Sequence, residues 1–210
     1  MKKRTLCVGL MSVLAVASLA VISTAAPAAG AKPKPPPVWS GCKGEQFKFG
    51  GKCQTISWGT LTFQSENSEL GSITCKKSDA GNIWNPLAEF PNHLPGLDEV
   101  VLMDFYECKS SQCQGATVTA RNLPWQTELF RVGTAIFDRI TGIELEFTCK
   151  SPAFNFNATG TLSPKMVNGN PLYEEFTAAS GALASPAGKI TITGHDKNMG
   201  FENQERLKVK

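Results

Sequence analysis

The chain runs to 210 residues with 21 basic and 18 acidic side chains, a formal charge of +3. That whole excess is Lys2, Lys3 and Arg4, so everything after the first few residues is electrically neutral. A body without a positive field is a poor match for nucleic acid or an anionic membrane surface.

Residues 1–31 read as a secretory signal peptide. Lys2-Lys3-Arg4 forms a basic head, Leu6 to Ile22 is apolar apart from small residues, and Ala29-Gly30-Ala31 supplies an A-x-A exit. The apolar run is too short, and its flanks too rich in small residues, for a retained anchor, so no transmembrane segment is expected after cleavage. Cys7 lies inside this run and no cysteine sits at the exit, which argues against a lipoprotein. Cleavage leaves 179 of the 210 residues, 18 basic against 18 acidic, enough for one substantial core or at most two small ones.

Six cysteines remain: Cys42, Cys53, Cys75, Cys108, Cys113 and Cys149. An even count in an exported chain implies disulfides, whereas a metal site would want a C-x-x-C knuckle that is missing here. The expected pairing is Cys42–Cys53, Cys75–Cys149 and Cys108–Cys113, each link contributing ~2–4 kcal/mol.

Lys32 to Ser40, with Pro33, Pro35, Pro36 and Pro37, reads as an extended Pro/Lys-rich tether, and residues 41–210 as a single β domain. Ser40 to Gly51, with Phe47 and Phe49 between two cysteines, suggests a disulfide-pinned loop. Thr55–Gln64 turns Leu61 and Phe63 to one face, and Ser72–Lys76 does the same with Ile73 and Cys75. Asn82 to Gly96 holds Pro86, Pro91 and Pro95 and is expected to be a long surface loop. Glu99–Cys108 is continuously apolar enough for a central strand buried on both faces. Gly115–Arg121 alternates, and Leu129–Asp138 is read as a strand with Phe130, Val132 and Ile136 on one face, closed by a short turn near Asp138-Arg139.

The most regular stretch follows. Ile143, Leu145, Phe147 and Cys149 share one face and Gly142, Glu144, Glu146 and Thr148 the other, the mark of a half-buried antiparallel strand. Phe154, Phe156 and Leu162 share a parity, Leu172–Ala179 is open between helix and strand, and Gly188–Gly194 and Arg206–Lys210 read as strands. No helical stripe emerges from the mature part, so the fold class is all-β: a disulfide-stapled antiparallel β-sandwich or closed β-barrel of about eight to ten strands.

One resemblance is carried by Tyr106-Glu107-Cys108, Cys113, Asn122-Leu123-Pro124-Trp125, Thr127-Glu128-Leu129, Thr141-Gly142-Ile143 and Cys149. This pattern resembles a group of uncharacterised small secreted proteins of actinobacteria. It covers roughly Thr55 to the C-terminus and implies export and an all-β fold, but no activity, ligand or functional residue.

Motifs for chemistry are sparse. His93 lies in the Pro-rich stretch and His195 stands before Asp196 in what reads as a Gly-bounded turn; the missing G-x-S-x-G elbow favours two exposed loop histidines over a nucleophilic triad. Glu144 and Glu146 lie about 6.5–7 Å apart at the backbone, a spacing compatible with sugar hydrolysis, yet two acids on a solvent face also serve solubility. Asp98-Glu99 and Glu174-Glu175 are adjacent, so within a strand each pair diverges. No phosphate loop, dinucleotide fingerprint or calcium loop is present, so no cofactor is expected. Asn157-Ala158-Thr159 matches a glycan acceptor, and Trp39, Trp58, Trp84 and Trp125 are read mainly as packing residues.

Three readings follow. The first is an exported, non-enzymatic β domain with a surface, binding or structural role and a cell-envelope or protein partner. The second is a carrier with an internal cavity for an apolar lipid or metabolite. The third is a secreted hydrolase using Glu144 and Glu146 or a histidine.

Overall fold

A computed structural model describes residues 34–42, 50–67, 71–87, 94–150 and 154–210. The expected signal peptide, the start of the expected tether, the segment around Phe47 and Phe49, and His93 lie outside the described residues. Pro35–Lys210 forms one compact unit.

Alternation of apolar and polar residues produces thirteen strands among the described residues: β1 (Trp39–Ser40), β2 (Cys53–Ser65), β3 (Ser72–Trp84), β4 (Leu97–Lys109), β5 (Thr117–Arg121), β6 (Trp125–Val132), β7 (Ala135–Cys149), β8 (Phe154–Leu162), β9 (Lys165–Val167), β10 (Leu172–Phe176), β11 (Ala182–Ser185), β12 (Gly188–Gly200) and β13 (Lys208–Val209). All their pairings are antiparallel, and three disulfides tie them, so the all-β, disulfide-stapled expectation holds.

The ladder returns on itself. β2 pairs β3, β3 pairs β4, β4 pairs β6, β6 pairs β7, β7 pairs β9, β9 pairs β10, β10 pairs β12, and β12 pairs β2 again. Two strands serve both ends of this ring by changing partner midway. The first half of β7 pairs β6 and β9, and its second half β5 and β8. The first half of β12 pairs β11, the second β10, while β2 runs along both.

The change of partner in β7 coincides with a bulge. Ile136, Asp138 and Ile140 face inward, then Ile143, Leu145, Phe147 and Cys149 do, so the inward parity switches between Ile140 and Ile143. Gly142 stands at the switch with φ +72°, a left-handed conformation that a side chain resists. This corrects the reading of Leu129–Asp138 as one strand. The chain instead makes a hairpin through Gly133-Thr134, with Leu129 buried, Val132 exposed and Asp138 inside a strand.

β4 departs from expectation as well. A register shift near Val101 changes its parity, and Val101, Leu102 and Tyr106 are exposed, so it is not buried on both faces. β3 continues to Trp84, taking the first residues of the supposed loop. β12 runs on to Gly200, which places His195 and Asp196 in mid-strand, where a turn was expected. The tether shortens, because Trp39 is buried and pairs with Val209.

The disulfides are Cys42–Cys53, as expected, and Cys75–Cys108 and Cys113–Cys149, which replace the expected Cys75–Cys149 and Cys108–Cys113. Register explains the difference. Thr74 pairs with Lys109, which puts Cys75 and Cys108 on neighbouring strands with Cα atoms 4.0 Å apart. Cys113, in the segment between β4 and β5, is then left for the end of β7.

Two apolar cores result. The larger gathers Leu61, Phe63, Leu145, Phe147 and Ile192 with their neighbours. The smaller gathers Trp39, Ile83, Leu129, Leu172, Leu207 and Val209 beneath the β1–β13 pair.

Candidate functional site: a buried acidic belt

Between these cores lies a layer that hydrophobic patterning would not place there. β6 runs Trp125, Thr127, Leu129; β7 runs Ile136, Asp138, Ile140; β10 runs Leu172, Glu174, Phe176. On each strand a polar residue occupies the inward position between members of the two apolar clusters. β3 contributes Lys77 and Asp79 after Ile73 and Cys75, β2 contributes Thr55 and Ser57, β4 Asp98, and β12 Asp196 and Asn198. A polar belt thus runs around the interior. It contains five carboxylates and one lysine, and Lys77, Asp138, Glu174 and Asp196 are almost wholly shielded from solvent.

Strand register brings the charges together. Glu174 stands opposite Asp196, Asp196 opposite Gly59, and Gly59 opposite Lys77. A Cβ on Gly59 would come 2.2 Å from the His195 carbonyl and 3.0 Å from Asp196 Oδ1. The missing side chain is what lets the Lys77 ammonium reach across to Asp196, which it pairs with directly while also pairing with Asp79 at 2.5 Å. Ser57 Oγ donates to Asp196 Oδ2 at 3.1 Å, Thr127 Oγ1 to Asp138 Oδ1 at 2.7 Å, and Asn198 Nδ2 to Glu174 Oε1 at 3.1 Å. Two oxygens shielded from solvent, Asp98 Oδ1 and Asp196 Oδ1, accept no hydrogen bond.

Burial and crowding of like charge set the protonation. Loss of hydration pushes Asp98 and Glu174 well above the usual carboxylate range, and the nearby Asp138 adds to both. Burial lifts Asp138 to about 6 against the Thr127 hydrogen bond, and lifts Asp196 to about 6 against the pull of Lys77. Burial also works against the charge on Lys77, but Asp196, Asp79 and Glu174 outweigh it and hold the ammonium above its ordinary range. The belt therefore holds one fixed cation and more acids than it neutralises.

The belt borders a chamber of about 40 Å³, lined by Asp79, Asp98, Asp138 and Glu174 on its polar side and by residues such as Phe63, Met103, Phe105 and Trp125 on the other. That is room for a few waters and well short of the ~150 Å³ of a cavity that admits benzene. Among the described residues, the only group of three potential metal donors within 4.8 Å of one another is Cys42, Cys53 and Glu205, and its two sulfurs are bonded to each other. The belt carboxylates do not converge in that way.

The residues singled out in the sequence fall elsewhere. Glu144 and Glu146 lie on the outer face, accepting hydrogen bonds from Asn122 and Asn157, and from Arg121 and Asn155 respectively. The Arg121 contact holds the Glu146 carboxyl below its ordinary range, the opposite of what a general acid needs. His195 is exposed on β12, 6.3 Å from Tyr173 ring to ring. Trp125 is buried with its Nε1 donating to the Arg121 carbonyl at 2.8 Å, and Trp39 is buried in the smaller core. Asp98-Glu99 and Glu174-Glu175 diverge as expected: Asp98 and Glu174 point to the belt, whereas Glu99 pairs with Lys52 on the outer face.

Most of the belt went unread in the sequence. Ending a strand at Lys76 leaves out Lys77 and Asp79, and a turn reading of Asp138 and Asp196 leaves out two more acids. The signal was parity. Lys77 continues Ile73 and Cys75, Asp138 sits between Ile136 and Ile140, and Asp196 continues Ile190 and Ile192, so each charge keeps step with apolar neighbours.

No protein-family model matches the chain, and comparison with curated proteins and with solved structures returned no match.

Proposed function

We propose that this is an exported, non-enzymatic binding domain whose strands form a closed barrel and whose acidic belt receives a small organic cation. The carrying observation is the imbalance beside the chamber: five acids, three of them buried, share the single cation of Lys77, and burial holds protons on Asp98 and Glu174. Buried acids without partners cost stability, so a belt held in deficit of positive charge is better understood as a site than as scaffolding. The acids are too dispersed to converge on one metal ion, which favours an ammonium or guanidinium group with its donors spread in space. Three disulfides accord with export, and the resemblance to secreted actinobacterial proteins points the same way. The chamber is too small for a lipid, which weighs against an apolar carrier.

A second reading is acid catalysis, favoured by the Asp138 carboxyl at about 6, a value suited to giving up a proton near neutrality. A chamber of about 40 Å³ restricts such chemistry to very small substrates and excludes a sugar ring.

The test is thermal unfolding at neutral pH with ethylammonium, with tetramethylammonium, which lacks N–H donors, and with sodium chloride of equal ionic strength. Ethylammonium is expected to raise the midpoint above both controls, and Asp138→Asn, which removes an acid still ionised at neutral pH, to abolish the difference. Equal midpoints in all three salts would remove the cation reading.

A further inference from the structure

The outer face of the sheet carries a feature independent of the belt. Met199 pairs with Ile56, Ile56 with Ala80, and Ala80 with Leu102, so one cross-strand row over β12, β2, β3 and β4 is apolar from end to end on the outer face, half-buried at Met199, Ile56 and Ala80 and exposed at Leu102. Leu102 is 63% exposed and Phe201, beside the same row, 58%. Val101 and Phe201 border a groove of about 200 Å³ with Ala80 and Gln54. The next row reads Lys197, Trp58, Ser78, Asp104 across the same four strands. Lys197 and Asp104 have no ion-pair partner among the described residues.

We propose that this face is where two copies of the chain associate. Charge placement selects the second copy as occupant. In a face-to-face pair related by a two-fold axis running along the strands between β2 and β3, each row meets its own image reversed. Lys197 then lies over Asp104 of the second copy, and Asp104 over its Lys197. In the apolar row, Leu102 meets Met199 of the second copy, and Ile56 and Ala80 meet each other across the axis. The row and its flanks put a contiguous apolar surface against itself, the arrangement a single exposed patch of this kind calls for. With 18 basic and 18 acidic residues after the signal, no net charge opposes the approach.

The experiment is sedimentation equilibrium of the exported protein over a range of concentrations. The wild type is expected to reach twice the single-chain mass, and Leu102→Glu and Val101→Lys each to return it to the single-chain mass. Both side chains are exposed, so neither change threatens the fold. Lys197→Glu alone should weaken association, and Lys197→Glu combined with Asp104→Lys should restore it. A wild type that stays single-chain at every concentration overturns the proposal. So does an unaltered dimer in Leu102→Glu, or a double reversal no better than the single one.

Discussion

Lys77 and Asp138 sit in the same belt yet should respond to substitution in opposite ways. Lys77 is the sole cation between Asp79 and Asp196, so Lys77→Met leaves two buried acids facing one another. Breaking one side of such a pair typically costs ~3–5 kcal/mol. Asp138 bears a carboxylate that burial disfavours, and Asp138→Asn keeps an acceptor for Thr127 while removing the charge. Moving from an ordinary 3.8 to about 6 implies a penalty of roughly 2–3 kcal/mol near pH 7.5. Urea unfolding at that pH should find Lys77→Met less stable than wild type and Asp138→Asn more stable. A destabilised Asp138→Asn would mean that the ionised carboxylate is stabilised in the fold by more than its Thr127 hydrogen bond.

Elements show where alternation could be read and where it misled. The second half of β7 was legible because Ile143, Leu145, Phe147 and Cys149 keep one parity without interruption. Its first half was hidden by the bulge at Gly142, which moves the inward set from even to odd numbers and makes a continuous strand look like two. β4 was obscured the same way near Val101, where an outward apolar pair passed for burial on both faces. The belt was missed for a related reason: a charged residue at the end of an apolar run normally marks the end of a strand, and here the strand goes on. Gly142→Ala tests the bulge directly. No atom lies within 4 Å of the added Cβ, so only the left-handed backbone resists it, at about 1–2 kcal/mol. A loss of that size in urea unfolding is expected, and none at all would mean that the bulge relaxes.

For the whole molecule, the belt sets how stability varies with pH. Asp98, Asp138, Glu174 and Asp196 hold protons more tightly when folded, so folding takes up protons as pH falls through about 6 toward the ordinary 3.8 of aspartate, and stability rises over that interval. Glu99, Glu107 and Glu146 behave oppositely. Lys52, Lys76 and Arg121 respectively hold them below the ordinary 4.5, and their contribution is lost as pH drops beneath that value. Thermal midpoints measured across pH should therefore peak on the acid side of neutrality, near pH 5, and decline toward pH 8. A flat profile or a maximum above pH 7 would show that the belt acids remain ionised in the fold.

The β1–β13 pair forms a lid on the smaller core, in which Trp39, Leu207 and Val209 are buried. Trp39 belongs to the first strand and Val209 to the last, so this lid is stitched from the opposite extremes of the described chain. During synthesis, one half of the seam waits for the other until everything between has emerged. The smaller core thus stays unsealed throughout assembly, and is shut by the final stitch.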